Sequence, residues 1–261
     1  MKIMAVVNVT PDSFFDGGNH NAPAAAIAHA MRCVEEGADI LDIGGESSRP
    51  GAQPVNLNEE RSRVLPVIEG IRKHHPKIPI SLDTTKALLV REASQLGVQH
   101  VNDITALRGD PEMASTVAQL KLNIILMHMQ GTPQNMQARP QYEDVTSEVI
   151  HFFQERISVA LSAGVAKDRI FLDPGIGFGK TVSHNVSLLQ QLGRLSQLSC
   201  PLIVGTSRKS FIGQLTATDD PNDRLPGTLA TLPVIQRSKV AIVRVHDVAA
   251  TKQFLTVFNA L

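Results

Sequence analysis

Eight short apolar runs alternate along the chain with longer stretches of helical periodicity, and this alternation predicts the fold. The runs lie near residues 3–8, 39–43, 79–83, 100–104, 123–129, 170–173, 201–206 and 240–246. Buried parallel strands are nearly continuous apolar runs in sequence. Strand–helix alternation gives a parallel sheet with right-handed crossovers. We therefore predict an α/β protein that folds as a single-domain (β/α)8 TIM barrel over residues 1–261, with a doubly wound open sheet as the alternative.

Helix signals fill the gaps between the runs. Asn56 and Glu59 resemble a capping box at the start of the second helix, in which two side chains satisfy free backbone donors. Thr84 is placed to cap the third helix, which we expect to end at Gly97. Gly37 supplies the stop of the first helix, because glycine readily adopts the left-handed conformation that ends helices.

Composition narrows the range of functions. The 261 residues are 43% hydrophobic and 19% charged, which suits one domain with a large core. Acidic and basic residues balance at 25 each, so no overall field favours nucleic acid or an anionic membrane as a partner. The first apolar run is far shorter than the ~18 residues of a membrane span, and we expect neither a membrane segment nor a signal peptide. Cys33 and Cys200 lack metal-site spacing and are expected to be buried free thiols, as in a reducing cytoplasm.

Carboxylates follow four of the apolar runs, at Asp42, Asp83, Asp103 and Asp173. Each alone is more typical of a helix cap or a turn. In a barrel, however, the catalytic groups lie where the strands end. Four carboxylates at equivalent strand ends therefore favour a shared active site.

Basic residues follow the last two runs. Arg208, Lys209 and Ser210 come after the seventh run, and Arg244 and His246 come after the eighth. The alternate positions of Arg244 and His246 point their side chains the same way. The loops after the seventh and eighth strands form the usual phosphate site of such barrels. We interpret these residues as a site for phosphate or pyrophosphate, with an exposed basic patch as the alternative.

Amides at the strand ends restrict the chemistry further. Asn8 and Asn102 end apolar runs, and a buried amide needs hydrogen-bond partners. Amides and carboxylates together suit a polar heterocycle such as a pterin or a purine. The glycine-rich residues 175–181 lack the spacing of a P-loop or a dinucleotide fingerprint. We expect this loop after Asp173 to let a ring or a backbone approach closely.

Five of these segments together resemble dihydropteroate synthases. They are residues 8–14, 42–51, 173–180, 207–210 and 244–246. The resemblance extends over essentially the whole chain. It implies a transferase of folate biosynthesis that condenses 6-hydroxymethyl-7,8-dihydropterin pyrophosphate with p-aminobenzoate to give 7,8-dihydropteroate and pyrophosphate. It also implies Mg²⁺ as cofactor, a cytoplasmic homodimer, and inhibition by sulfonamides.

The resemblance assigns roles to the residues that match. Asn8 would bind the Mg²⁺–pyrophosphate unit, and Arg244 and His246 would hold the pyrophosphate. The pterin edge would be held by Asp83, Asn102, Asp173 and Lys209. The residues expected to act in the chemistry itself are Asp83, Asp173, Lys209, Arg244 and His246.

A further group of residues would frame the p-aminobenzoate. These residues are Ser48, Arg49, Pro50, Phe178 and Ser210. The loops that carry Arg49 and the segment Asp12, Ser13 and Phe14 would close over both substrates.

Two other functions remain open at this point. A related barrel binds methyltetrahydrofolate and passes a methyl group to a corrinoid protein, but it has no need for a pyrophosphate site. A catalytically silent pterin-binding paralogue is the other candidate, and such a protein should have lost residues of the first loop or of the pyrophosphate site. An assay of pyrophosphate release with and without p-aminobenzoate separates these two functions and that of a dihydropteroate synthase.

Overall fold

The computed structural model describes residues 1–10 and 22–261, and its centre is a parallel sheet. The strands are β1 (Lys2–Asn8), β2 (Ile40–Gly44), β3 (Ile80–Asp83), β4 (His100–Asp103), β5 (Asn123–Met127), β6 (Ile170–Asp173), β7 (Ile203–Val204) and β8 (Ile242–Val245). Neighbouring strands pair in the order β6-β5-β4-β3-β2-β1-β8-β7. Each strand thus pairs with its neighbours in sequence, as in a closed barrel, so the predicted TIM barrel is confirmed and the open doubly wound sheet is wrong.

Helices follow the strands and pack around the barrel. They are α1 (Ala22–Glu35), α2 (Leu57–His74), α3 (Ala87–Gln95), α4 (Met113–Gln119), α5 (Val145–Ser162), α6 (Val182–Gln190), α7 (Ser210–Thr216), α8 (Leu225–Arg237) and α9 (Val248–Ala260). Short 3₁₀ segments lie at Lys167–Arg169, Leu192–Leu198 and Pro221–Arg224. Within the described ranges, no helix combines the length and the apolarity that crossing a membrane requires. Cys33 and Cys200 are buried free thiols, as predicted.

The seam between β6 and β7 closes the barrel with few hydrogen bonds. The strand β7 has only two residues, whereas the apolar run predicted six. Pro201 lacks an N–H and cannot donate to a ladder, but its carbonyl accepts from Leu172 at 3.0 Å. Leu172 and Leu202 form an isolated parallel bridge at this seam. The barrel is therefore nearly closed, and its weakest pairing lies between β6 and β7.

The strands bury both of their faces. Side chains such as Leu41 and Val101 are fully buried beneath the helices. The interior of the barrel holds a separate apolar cluster. Its buried members are Met4, Ile40, Ile125, Ile203 and Ile242. Inward-facing polar side chains lie beyond this cluster, towards the carboxyl ends of the strands.

One row of paired residues crosses four neighbouring strands at the carboxyl end of the barrel. Asn8 pairs with Gly44, Gly44 with Asp83, and Asp83 with Asn102. Residues paired in this way point to the same face of a sheet. The register alone therefore brings an amide, a carboxylate and a second amide to one rim of the barrel.

The predicted capping box of α2 is only half present. Asn56 Oδ1 accepts from the backbone N–H of Glu59 at 3.0 Å, as expected. The Glu59 carboxylate instead pairs with Arg63 one turn along the helix. This i,i+4 ion pair thus replaces the second hydrogen bond of a capping box, in which the Glu59 side chain would bond the backbone N–H of Asn56.

The predicted cap of α3 is wrong by two residues. The helix begins at Ala87, with Lys86 in the capping position. Thr84 Oγ1 accepts from the N–H of Lys86 at 3.2 Å, and Lys86 precedes the first residue of the helix. The carboxylate of Asp110 accepts from the N–H of Ala87 at 2.8 Å instead. A distant side chain therefore supplies the cap.

Candidate active site

The core of the candidate site is one guanidinium held between two carboxylates. Arg244 at the end of β8 donates from Nε to Asp42 Oδ2 at 2.7 Å and from Nη2 to Asp83 Oδ2 at 3.0 Å. Asp42 is completely buried, and the side chains of Asp83 and Arg244 are 12% and 19% exposed. Three strands far apart in sequence are thus joined at the barrel mouth.

The electrostatics of this group follow from burial and from its excess negative charge. Burial raises the pKa of Asp83, and the neighbouring charge of Asp42 raises it further, against the opposing effect of Arg244. Burial disfavours the charged guanidinium, but Asp42 and Asp83 outweigh it and leave the pKa of Arg244 above its ordinary value. The Arg244 charge is therefore permanent, whereas Asp83 is a carboxyl that can take up a proton.

Asn102 extends the group to β4. Its Nδ2 donates to Asp42 Oδ2 at 3.2 Å. Its Oδ1 is buried and, among the described residues, lacks a hydrogen-bond partner. A buried carbonyl oxygen without a partner is costly, so this oxygen is suited to accept a hydrogen bond from a ligand or a water.

Gly44 leaves room between Asn8 and Asp83. A Cβ at this position would lie 3.8 Å from Asn8 Oδ1 and 3.7 Å from Asp83 Oδ2. These two oxygen atoms therefore face the same small space above the strand β2. The absence of a side chain at Gly44 keeps that space open at the rim.

Asp173, Lys209 and Phe178 form the opposite side of the barrel mouth. Asp173 Oδ1 accepts from the N–H of Gly175 at 2.8 Å. Burial raises the pKa of Asp173, and this hydrogen bond together with the charge of Lys209 opposes the rise. The ammonium of Lys209 lies 4.0 Å from the centre of the Phe178 ring. Burial and the charge of Arg244 lower the pKa of Lys209 to about 8.

His246 lies at the end of β8 beside the loop after β7. Its backbone N–H donates to Ser207 Oγ at 3.1 Å, and its Nδ1 lies 3.0 Å from the same oxygen. Burial lowers the pKa of His246 to about 3, and the positive charges of Arg244, Arg208 and Lys209 contribute. His246 is therefore neutral at pH 7 in the free protein.

Arg208 is not a free member of this cationic group. It has a positive φ of 58°, and its guanidinium forms a two-pronged pair with Asp247 at 3.0 and 2.6 Å. A third bond at 2.7 Å reaches Asn222. Arg208 thus joins the loops after β7 and β8, and the interpretation of the whole basic cluster as an anion site is wrong at this residue.

Asp103 also lies outside the site. Its carboxylate accepts from the N–H and the hydroxyl of Thr105 at 2.8 and 2.6 Å, and from the N–H of Leu107 at 2.7 Å. The backbone turn that these bonds stabilise includes two positive φ angles, at Ala106 and Leu107. The carboxylate is a turn former, so the grouping of four strand-end carboxylates into one site is wrong for Asp103.

The loop after β2 carries three of the predicted residues at the surface. Ser48 is half-buried, and Arg49 and Pro50 are exposed. The loop contacts the loop after β5, where Gly51 N donates to Pro133 O at 2.9 Å. In the part of the chain that the structure describes, no hydrogen bond joins this segment to Phe178 or to the exposed Ser210. The predicted residues 12–14 lie outside the described residues.

Two residues that contact members of the site have no role in the sequence prediction. Asp42 is a strand-end carboxylate to which the resemblance assigns no role, although it bonds both Arg244 and Asn102. Lys180 lies in the glycine-rich segment 175–181 and has no predicted role. It is 3% exposed, and its Nζ lies 2.9 Å from His128 Nδ1. The apolar run that ends at His128 was the only sequence signal for that contact.

Comparison with known proteins agrees with this geometry. A sequence model of pterin binding enzymes matches residues 4–246. The fold and the site thus define a barrel enzyme of the pterin-binding class. The dihydropteroate synthase of Synechocystis sp. is 47% identical over 259 residues, which cover 99% of this chain and 89% of that protein.

Solved structures agree as well. The Xanthomonas albilineans dihydropteroate synthase with 4-aminobenzoic acid is 46% identical with a TM-score of 0.94, and covers 99% of this chain and 92% of its own. The structure of that enzyme with 7,8-dihydropteroate gives 43% identity, the same coverage and a TM-score of 0.89. The chain belongs to the dihydropteroate synthase family, and it is a transferase.

Proposed function

We propose that the chain condenses 6-hydroxymethyl-7,8-dihydropterin pyrophosphate with p-aminobenzoate to give 7,8-dihydropteroate and pyrophosphate. The observation that carries this proposal is the pairing of a largely buried carboxylate–amide rim, at Asp83, Asn102 and Asp173, with cations at Lys209 and Arg244. The rim matches the donors of a pterin ring, and the cations match the charge of a pyrophosphate. The dihydropteroate bound to a relative is the product of this reaction.

The pyrophosphate is the leaving group, and negative charge grows on it as its C–O bond breaks. The guanidinium N–H groups of Arg244 that do not bond Asp42 or Asp83 can donate to this charge. The neutral His246 can donate from Nε2, since its Nδ1 faces Ser207. Preorganised donors of this kind stabilise developing charge without reorganisation of solvent.

The pterin methylene becomes cation-like as the pyrophosphate departs. Asp83 and Asp173 lie on opposite sides of the barrel mouth, and each presents a carboxylate oxygen there. In their ionised forms these two carboxylates would stabilise the cationic carbon, while Asn102 and Lys209 complete the hydrogen bonds to the ring. The weakly basic arylamine of p-aminobenzoate then attacks the methylene, and no protein nucleophile is required.

Mg²⁺ fits the donors at the rim. Magnesium binds oxygen ligands and commonly takes one or two from the protein, with substrate phosphates and waters as the rest. Asn8 Oδ1 faces the open space above Gly44 and would be the protein ligand. When bound, the ion would neutralise part of the pyrophosphate charge.

The p-aminobenzoate would lie between Phe178, Ser210 and the loop of Ser48, Arg49 and Pro50. Phe178 is buried beside the ammonium of Lys209 and offers an aromatic face. Arg49 is exposed on a loop and can pair with the carboxylate of the substrate once the loop closes. These groups lie on loops and at a helix start, and not on the strand ends. The second pocket therefore depends on the conformation of the loops.

The decisive experiment measures pyrophosphate release from pterin pyrophosphate with and without p-aminobenzoate. Release that requires p-aminobenzoate, together with formation of dihydropteroate by mass spectrometry, supports the proposed reaction. Release that is independent of p-aminobenzoate, or no release, contradicts it. Omission of Mg²⁺ should abolish turnover, and its restoration should recover it.

We also propose a cytoplasmic homodimer that forms through outer helices. Two large apolar side chains are prominent on such helices, since Leu215 on α7 is 59% exposed and Val257 on α9 is 56% exposed. Both residues lie outside the set assigned to the site. Sedimentation velocity of the purified chain tests the assembly, and a monomer at micromolar concentration would contradict it.

A further inference from the structure

Lys180 is a buried lysine with no assigned part in the reaction. Among residues 1–10 and 22–261 it is the one buried lysine, at 3% exposure. Its Nζ lies 2.9 Å from His128 Nδ1, 3.0 Å from Gly175 O, 3.1 Å from Phe178 O and 3.4 Å from His128 O. An ammonium has three donor hydrogens, and all of them can be used within this ring of acceptors.

The partners of Lys180 are backbone carbonyls and a ring nitrogen, and none of them is a carboxylate. No ion pair joins Lys180 to another described residue, in contrast to Lys86, which contacts two glutamates. Burial lowers the pKa of Lys180 to about 7. Burial also lowers the pKa of His128 well below its ordinary value, so His128 is neutral and its Nδ1 can accept. The geometry is that of a backbone anchor.

The loop that Lys180 holds is packed directly against the segment after β5. Gly175 has a φ of 66°, and a Cβ there would lie only 1.9 Å from His128 O. A Cβ at Gly179 would lie 2.7 Å from Gln130 O. The glycines therefore let backbone approach backbone, which the sequence predicted, and the approaching partner is the protein itself.

Both ends of this anchored loop carry residues of the proposed site. The N–H of Gly175 donates to Asp173 Oδ1 at 2.8 Å and fixes the rotamer of that carboxylate. Phe178, whose carbonyl Lys180 holds, presents its ring to Lys209. A loosening of the loop would thus displace the pterin acceptor and the aromatic face together.

We propose that Lys180 is a positioning residue that locks the loop 174–180 onto the end of β5, and thereby fixes Asp173 and Phe178 for the two substrates. The anchoring follows from the contacts alone, whereas the consequence for substrates rests on the proposed function. Arg244 and His246 bond Asp42, Asp83 and Ser207, and in the described part of the chain no hydrogen bond joins either of them to Lys180. The anion end of the site should therefore be independent of it.

Hydrogen–deuterium exchange tests the anchoring without any substrate. Lys180→Met keeps the length of the side chain and removes the donors. Exchange of the amides in 174–180, among them the N–H of Phe178 bonded to Gly175 O at 3.0 Å, should rise at least tenfold. Lys73→Met, which changes an exposed lysine on α2, is the matched control and should leave this segment as in the wild type. Unchanged exchange in Lys180→Met overturns the proposal.

Kinetics and calorimetry test the consequence for the site. In Lys180→Met the KM values for pterin pyrophosphate and p-aminobenzoate should each rise about tenfold, while the Kd of inorganic pyrophosphate stays within twofold. If the affinity for pyrophosphate falls as much as the affinities for the two substrates, the variant is damaged as a whole. That result would overturn the positioning role. If the wild type itself forms no dihydropteroate, the proposed function fails, and the exchange experiment still decides the anchoring.

A milder variant covers the case in which Lys180→Met does not fold. His128→Leu removes the acceptor at Nδ1 and leaves the carbonyls of His128, Gly175 and Phe178 in place. Exchange in 174–180 should then rise about threefold, with a smaller increase in both KM values. If Lys180→Met cannot be made, the result for a folded His128→Leu protein decides. Amide exchange in 174–180 at the wild-type rate would then overturn the proposal.

Discussion

Arg244 donates from Nε to Oδ2 of Asp42 at 2.7 Å, across 202 residues of sequence, and the acceptor is completely buried. The pair fixes the orientation of the guanidinium from below, on the side away from the barrel mouth. Asp42 therefore acts through Arg244, and its removal should disturb the pyrophosphate end of the site.

Asp42→Leu should lower kcat/KM about tenfold to a hundredfold, since a hydrogen bond to a charged group contributes about 1.5–3 kcal/mol. Asp42→Asn should cost less, because the amide oxygen can still accept from Arg244. Steady-state kinetics with both substrates checks this order. Asp103→Asn is the control: it breaks a turn and should lower the melting temperature with kcat/KM nearly unchanged. Equal kinetics in Asp42→Leu and the wild type would remove Asp42 from the site.

Asp173→Asn should separate pterin recognition from stability. The amide keeps an oxygen for the N–H of Gly175 but turns the other oxygen into a donor. That donor would face the donors of the pterin, a mismatch of about 1–3 kcal/mol. We expect the pterin affinity to fall at least tenfold, with a small change in melting temperature and unaffected pyrophosphate binding. A variant that binds pterin normally and melts much lower would make Asp173 a structural cap.

p-Aminobenzoate binding should depend on pyrophosphate. The pterin residues lie on strand ends, whereas Arg49 and Ser48 lie on a loop. Pyrophosphate with Mg²⁺ should therefore help assemble the second pocket. Calorimetry should detect negligible p-aminobenzoate binding alone and clear binding in their presence. Equal affinity under both conditions would contradict this order.

The period of the strands explains which strand-end residues the sequence could assign. Successive side chains of a strand point to opposite faces. Asn102 faces the barrel mouth, so the adjacent Asp103 must face outward, where it bonds the turn at Thr105 and Leu107. That alternation was readable in the sequence and excludes Asp103. By the same rule Asp42, two positions before Gly44, points inward with the site.

Other contacts had no comparable signal. Lys180 reaches His128 across 52 residues, between two loops without periodicity. Arg208 has a positive φ of 58° and pairs with Asp247 across 39 residues. Backbone angles of this kind depend on the closed barrel and its loops. The barrel and the strand-end groups were therefore predictable, whereas the contacts that hold the loops were not.

Acid should destabilise the fold through a histidine inside the barrel. His100 on β4 is buried against Phe171, with ring centres 5.9 Å apart. Burial lowers its pKa from 6.5 to about 4. Below pH 6.5 the His100 imidazole therefore binds a proton in the unfolded chain but not in the folded chain. Stability is lost as the pH falls from 6.5 to 4, and a shift of this size corresponds to about 3 kcal/mol.

The variant His100→Gln isolates this effect, because glutamine is polar and does not titrate. The difference in unfolding free energy between wild type and variant should be constant above pH 7. It should then fall by up to about 3 kcal/mol towards pH 4, as measured by urea denaturation at several pH values. A constant difference for His100→Gln would mean that the interior accepts the imidazolium, for example through the charge of Asp42.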